Sequence, residues 1–218
     1  MPDKIPAWTA SSIDAFITCP HKYYRLRVLK DIKDFPMGEQ ALRGTKVHKL
    51  FENCINWGDP LPADLKGLQP LVDKIKAMPG EKFPEFRFSI DEDLKECAWK
   101  EAWSRGAADL VVKYGKECVI LDYKTGKRKP SDQLMLYAGY AFAYWPEIEK
   151  VHTAYVWLKD KKIDKKTYTR DNLKDIWGTW LPLVSRLKYA YETNTWQKRP
   201  SGLCKAWCPC KDCQFAGV

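Results

Sequence analysis

Residues 106–138 read GAADLVVKYGKECVILDYKTGKRKPSDQLMLYA, and this stretch determines the predicted fold. Two β-rich runs, 106–114 and 117–123, flank Gly115-Lys116, a pair that favours a tight hairpin turn. A basic loop follows, and Pro130 with Ser131 begins a helical pattern that Pro146 ends. A hairpin followed by a helix therefore forms the predicted centre of the domain.

The rest of the chain adds helices before this centre and alternates strand and helix after it. The break expected within the first helix is at Cys19-Pro20. Apolar spacing predicts helices at 9–30, 39–57, 68–78 and 171–192, and strands at 85–90, 98–103, 150–158 and 163–169. This order predicts a single α/β domain over residues 1–218, with a mixed central β-sheet flanked by helices.

Charge and composition restrict the classes of function. The chain has 37 Lys and Arg against 28 Asp and Glu, a formal net charge of +9 that favours a polyanionic partner such as nucleic acid. No run of about 20 apolar residues is present, so a membrane span is not expected. The first residues lack a basic-then-apolar signal pattern, so the expected location is the cytoplasm.

Three residues of the hairpin suggest a metal site. Asp122 and Lys124 are two apart on one strand and project from the same face. With the turn at Gly115-Lys116, Asp109 falls almost opposite Asp122. Two carboxylates this close repel each other unless a cation binds between them, and hard oxygen ligands select Mg²⁺ or Mn²⁺ over zinc.

The same residues resemble the core of the PD-(D/E)XK nucleases, specifically the RecB-type branch. That branch has an Asp on one strand, D-x-K on the next and Q-x-x-x-Y on the following helix, which here are Asp109, Asp122 with Lys124, and Gln133 with Tyr137. Upstream, RGTKVHKLFE resembles the G-T-x-x-H motif and supplies His48, and PEFRFSI resembles the first-strand glutamate motif and supplies Glu85. The resemblance implies a restriction-endonuclease-like fold.

The resemblance also implies a role for each residue. The expected metal ligands are His48, Asp109 and Asp122, and Lys124 would position the attacking water and stabilise negative charge in the transition state. Gln133 and Tyr137 would orient Lys124 or the DNA backbone. Glu85 ranks below them, as a substrate contact or a group behind the ligands. The loop directly after Lys124 is expected to contact backbone phosphates through Lys127, Arg128 and Lys129.

Eight cysteines in a protein expected in the cytoplasm indicate metal ligands before disulfides. Some RecB-type members hold an iron–sulfur cluster with one N-terminal and three C-terminal cysteines. CPHKYY near the start and PSGLCKAWCPCKDC near the end resemble them, which implies a 4Fe–4S cluster on Cys19, Cys204, Cys208 and Cys213, held by residues 1–37 and 200–218. Cys210 is either spare or a replacement for Cys208. The alternative is a zinc site made of Cys204, Cys208, Cys210 and Cys213.

The function implied by the resemblance is a Mg²⁺- or Mn²⁺-dependent DNA exonuclease. Single-stranded or end-exposed DNA is the expected partner, in recombination, repair or phage DNA processing, and a phage-encoded protein would act in the host cytoplasm. Two alternatives remain at this point. One is a structure-selective endonuclease with the same site, and the other is a non-enzymatic, metal-stabilised DNA-binding module.

Overall fold

The computed structural model describes residues 5–36, 38–129 and 131–217. The chain divides into two compact units. The first joins the two ends of the chain, through Pro36 and from Gly178 onward, and the second contains the residues between them. Over the described ranges, no helix combines the length and apolar character that a membrane crossing requires.

The second unit is built on a five-stranded sheet whose strands lie side by side in chain order. They are β1 (Glu81–Ile90), β2 (Ser104–Tyr114), β3 (Glu117–Lys124), β4 (Lys150–Trp157) and β5 (Lys162–Thr169). β3 and β4 are parallel, and the other neighbours are antiparallel. The sheet is therefore mixed, which confirms the expected α/β class.

The predicted hairpin is confirmed by its register. Tyr114 pairs with Glu117 across the turn, and Leu110 pairs with Leu121 further along. The ladder ends one residue before Asp109 and Asp122, and the two carboxylates at its end are close enough to repel each other. A two-residue turn fixes this pairing because every later pair follows from it.

Six helices accompany the sheet among the described residues. They are α1 (Ala10–Thr18), α2 (Pro20–Tyr23), α3 (Glu39–Trp57), α4 (Gln69–Ala77), α5 (Gln133–Tyr144) and α6 (Leu173–Thr193). α3 and α4 pack on one face of the sheet, where Phe51 and Val72 share a buried core with Leu110 and Leu121. α5 lies against the other face, where the Tyr140 ring centroid is 5.7 Å from that of Phe88.

α3 has the bounds predicted for it, 39–57. Val47, Phe51 and Cys54 recur at the 3–4 spacing of one helix face and are all buried. The helix ends at Gly58, whose φ of 77° lies in the left-handed region that favours glycine. This helix therefore holds residue 48 beside its buried stripe, facing the sheet.

The first unit packs around Trp196. Its ring centroid lies 4.8 Å from that of Tyr24 and 6.1 Å from that of Tyr23, and both pairs are stacked. The predicted break at Cys19-Pro20 is confirmed, since α1 ends at Thr18 and Pro20 begins α2. The backbone N–H of His21 donates to the carbonyl of Gln197 at 3.1 Å, which ties the two ends of the chain together.

Three sequence-based assignments were wrong. The strand predicted at 85–90 begins four residues earlier, at Glu81. Residues 98–103 form turns rather than a strand, because this segment connects β1 to β2 through local contacts: Asp91 Oδ1 accepts from the N–H of Lys95, and the N–H of Trp103 returns to the carbonyl of Ile90. The helix expected from Pro130 and Ser131 begins at Gln133. Pro130 itself lies outside the described residues.

Candidate metal centre

Three side chains from different elements converge beside the β2–β3 hairpin. His48 comes from α3, Glu85 from β1 and Asp109 from β2, and one ligand atom from each lies within 4.8 Å of the other two. His48 Nδ1 is 3.0 Å from Asp109 Oδ1. The other Asp109 oxygen accepts from the backbone N–H of Tyr123 at 2.5 Å, which fixes the carboxylate between α3 and the hairpin.

Glu85 reaches this group because β1 changes face at that residue. Phe83 and Phe86 are three apart, so a regular strand would place them on opposite faces, yet both rings contact Trp145. Glu85 lies between them with a φ of 50°, a left-handed conformation that costs a non-glycine residue about 1–2 kcal/mol. The irregularity brings a carboxylate predicted to be peripheral into the same group as His48 and Asp109.

Asp122 lies next to this group and is almost fully buried, with 3% of its surface exposed. Its Oδ2 is 2.6 Å from Lys124 Nζ, and among the described residues no other donor reaches that oxygen. The contact is therefore a short ion pair. Burial raises the pKa of Asp122 to about 6, and repulsion by Asp109 adds to the rise despite the attraction of Lys124.

The other two members of the group also titrate abnormally. Burial alone would lower the pKa of His48, but its hydrogen bond and attraction to Asp109 outweigh burial and raise that pKa. The pKa of Glu85 is raised by burial first and by repulsion from Asp109 second. Carboxyl groups with raised pKa values concentrated at one place indicate a site in which a cation is needed to neutralise them.

Lys124 is connected to β2 through a chain of side chains on α5. Its Nζ is 3.5 Å from Gln133 Oε1, Gln133 Nε2 donates to the Tyr137 hydroxyl at 2.8 Å, and that hydroxyl donates to the carbonyl of Ala107 at 2.9 Å. Gly106 makes room for this arrangement, because a Cβ there would lie 2.6 Å from the Tyr137 ring. The proximity predicted for Gln133, Tyr137 and Lys124 is present.

The basic loop after Lys124 contains one arginine that is already engaged. Arg128 makes a bidentate ion pair with Asp164 on β5, and the buried indole of Trp157 donates to the same carboxylate at 2.8 Å. Lys127 and Lys129 are exposed, and no ion pair of theirs is found within the described part of the chain. No sequence pattern predicted this contact, apart from Asp164 being the sole acid of a lysine-rich strand.

A charge exchange separates a structural role of Arg128 from direct binding of nucleic acid. If the ion pair fixes the loop, Arg128→Asp and Asp164→Arg should each lower kcat/KM several-fold, and the double exchange should recover part of the loss. Recovery is expected to be partial because Trp157 loses its acceptor. Steady-state kinetics on the four proteins provide the measurement. A double variant as impaired as Arg128→Asp would instead assign the guanidinium to the substrate.

A family model and two solved structures are similar to this chain. The family model of the PD-(D/E)XK nuclease superfamily matches residues 105–218, just over half of the chain. The solved structure of a candidate exonuclease from Eubacterium rectale is 13% identical, with a TM-score of 0.54 over 96% of this chain and 86% of that one. The structure of SSO0001 is also 13% identical, with a TM-score of 0.47 over 99% of this chain and 90% of that one. The comparison with curated proteins gave no match.

The fold and the site together define a nuclease. The matched segment includes Asp109, Asp122 and Lys124, and the mixed sheet flanked by helices is the restriction-endonuclease-like arrangement. The chain belongs to the PD-(D/E)XK nuclease superfamily.

Proposed function

We propose that this chain is a Mg²⁺- or Mn²⁺-dependent deoxyribonuclease that acts as an exonuclease on single-stranded or end-exposed DNA. The observation that carries the proposal is the convergence of His48, Glu85 and Asp109 beside the Asp122–Lys124 pair. The net charge of +9 favours a polyanionic substrate. The exonuclease preference is supported by the name of the Eubacterium rectale protein, whose fold this chain shares.

The residues present fit a hard divalent cation. Asp122 Oδ2 is buried with the Lys124 ammonium as its one partner among the described residues, and Asp109 and Glu85 bring further carboxylates close to His48. Carboxylate oxygens with one imidazole suit Mg²⁺ or Mn²⁺. The ligands we propose are His48, Asp109 and Asp122, with Glu85 as a fourth group that either binds the ion or holds one of its waters.

The reaction proposed for this site is hydrolysis of a phosphodiester. A bound divalent ion would supply Lewis acidity, lowering the pKa of a water and neutralising phosphate charge. The Lys124 ammonium would donate to the phosphate oxygen on which negative charge accumulates. Gln133 and Tyr137 would hold Lys124 in place through their hydrogen bonds to each other and to β2.

Digestion of end-labelled DNA tests this function directly. We expect wild-type protein to degrade linear single-stranded DNA with Mg²⁺ or Mn²⁺, to leave circular single strands intact, and to be inactive in EDTA. Cleavage of circular substrate would identify a structure-selective endonuclease with the same site. If the protein binds DNA but cuts none of these substrates with either ion, it is a binding module and the proposed activity is wrong.

We also propose that the first unit holds a 4Fe–4S cluster on Cys19, Cys204, Cys208 and Cys213. All four thiols are partly exposed and belong to the same compact unit. A cluster that joins them would close a loop containing most of the chain. Closing a long loop lowers the conformational entropy of the unfolded chain and thereby stabilises the folded protein.

A zinc site and a cubane cluster require different spacings of the thiols. Four thiolates around one zinc at about 2.3 Å would lie roughly 3.8 Å apart. Across the described residues, no three cysteines bring their sulfur atoms within 4.8 Å of one another. A cubane binds each thiolate to a different iron and needs a wider spacing. Cys210 is the exception among the tail cysteines: it is buried, and burial, with Cys208 as neighbour, raises its pKa to about 12.

Anaerobic purification distinguishes these metals. We expect brown protein with absorbance near ~400 nm and matching iron and sulfide content, which Cys19→Ser should abolish. Cys208→Ser and Cys210→Ser form a matched pair that identifies the ligand, since replacing a spare thiol leaves the absorbance unchanged. Colourless protein containing stoichiometric zinc would refute the cluster.

A further inference from the structure

An arginine pair lies on the same sheet face as the candidate metal centre. Arg87 follows Glu85 by two residues on β1, and Arg105 precedes Asp109 by four on β2. Phe88 packs on Tyr140 and a Cβ at Gly106 would meet Tyr137, so the neighbours of the arginines face α5. Alternation places Arg87 and Arg105 on the opposite face, from which His48 of α3 reaches Asp109. At 3.2–3.4 Å per residue, the backbone of Arg87 lies roughly 7 Å from that of Glu85. The backbone of Arg105 lies roughly 13 Å from that of Asp109.

Both guanidinium groups rest on one indole ring. The Cζ atoms of Arg87 and Arg105 lie 5.5 Å and 4.8 Å from the ring centroid of Trp99. Arg105 also donates to the backbone carbonyl of Trp99 at 3.5 Å. Trp99 lies in the connection between β1 and β2, so this connection aligns the two cations along the face.

Among the described residues, neither cation has a neutralising partner. Within the part of the chain that the structure describes, no carboxylate forms an ion pair with Arg87 or Arg105, in contrast to Arg25 and Arg128. Two like charges on one ring repel each other, and each exposed cation–π contact returns only about 0.5–1 kcal/mol. The residue paired with Arg87 across the strands is Ala107, whose small side chain leaves the face open.

We propose that Arg87 and Arg105, held by Trp99, bind the phosphates of the DNA strand that flank the bond being cut. This inference rests on the proposed function, because the ligand it names is the substrate of that same site. The planar guanidinium presents paired N–H donors that match phosphate oxygens, and an anion placed between two unneutralised cations relieves their repulsion. The strand would run along β1 and β2 away from His48, Glu85 and Asp109.

Binding of labelled single-stranded DNA in EDTA, measured by anisotropy from 0.1 to 1 M NaCl, tests the proposal without requiring cleavage. Each phosphate contact on a single strand contributes about 0.7 to the slope of log K against log salt. Arg87→Gln/Arg105→Gln should therefore flatten the slope by about 1.4, which weakens binding about 25-fold at 0.1 M relative to 1 M. A slope and Kd equal to those of wild type would overturn the proposal.

Two matched variants separate local contacts from a loss of net charge. Lys162→Gln/Lys165→Gln removes two exposed charges from β5, at the opposite edge of the sheet, and should leave the slope close to wild type. Arg87→Lys/Arg105→Lys keeps both charges and should retain most of the slope. If the β5 variant flattens the slope as much as the arginine variant, the effect is general and the site is refuted.

A substrate with one neutral methylphosphonate linkage locates the contact. Wild-type kcat/KM should fall when the neutral linkage is one or two nucleotides from the cut bond, and the arginine variant should show no additional loss there. If the neutral linkage lowers kcat/KM of the arginine variant as much as it lowers that of wild type, the assignment is wrong. Wild-type protein that binds DNA but never cuts it would refute the proposed function alone, since the EDTA measurement still reports on the arginines.

Discussion

Lys124→Ala should reduce the rate of DNA hydrolysis by about 10²–10³-fold while leaving DNA binding in EDTA nearly unchanged. Removing one preorganised donor to the charge that develops in a transition state has an effect of this size. Lys124 Nζ lies 2.6 Å from Asp122 Oδ2 and 3.5 Å from Gln133 Oε1, so its position is set by the site. Single-turnover cleavage with saturating enzyme gives the measurement, because it isolates the chemical step from binding.

The control for this variant is Lys165→Ala, which removes an exposed lysine from β5. It should cleave at the wild-type rate and unfold at the wild-type temperature, whereas Lys124→Ala should unfold at a lower temperature because it leaves the buried Asp122 without its ion-pair partner. Lys124→Ala with activity within a few-fold of wild type would contradict the role assigned to this ammonium group.

Asp122→Asn should abolish cleavage and, in the absence of metal, make the protein more stable. The wild-type carboxylate is buried beside Asp109, and the attraction of Lys124 does not offset the burial and the repulsion, since its pKa remains raised. A neutral amide of the same shape removes the desolvation cost and the repulsion. The expected gain at pH 8 is roughly 1–3 kcal/mol, or several degrees in Tm. Thermal unfolding in EDTA provides the measurement, with Asp160→Asn, an exposed position, as the control.

The stability gained by Asp122→Asn should depend on pH in a defined direction. The folded pKa of Asp122 is raised to about 6, above its ordinary value of 3.8, so the folded wild type takes up a proton as the pH falls through 6. Wild-type stability therefore improves between pH 6 and 4, and the advantage of Asp122→Asn should be largest above pH 6 and absent below 4. If Asp122→Asn is less stable than wild type at pH 8 in EDTA, the carboxylate of Asp122 is stabilised by the protein without a bound metal ion.

The closeness of Asp109 and Asp122 was predictable from the sequence because it depends on local structure. The turn at Gly115-Lys116 sets the register of the hairpin, and the ladder with that register ends one residue before Asp109 and Asp122, which brings the two acids close together. Gln133 and Tyr137 are one helical turn apart, so their contact follows from the helix itself. Short-range geometry of this kind can be read from spacing.

Other parts of the site depend on contacts between distant segments. Glu85 joins His48 and Asp109 because β1 changes face at a left-handed residue, which no alternation pattern predicts. The Arg128–Asp164 pair joins residues 36 apart in sequence, and the sequence alone placed Arg128 with the DNA-contacting lysines. Trp99 holds Arg87 and Arg105 from a segment that the sequence predicted to be a strand.

The sequence by itself determined the hairpin, the helix after it, and the presence of two acids and a lysine on one strand pair, since turns and periodicity depend on neighbours a few residues apart. The tertiary structure decided which carboxylates meet His48, how the ends of the chain gather the cysteines into one unit, and which arginines stay unneutralised. Those outcomes depend on packing between elements far apart in sequence, where burial and charge, rather than spacing, select the contacts.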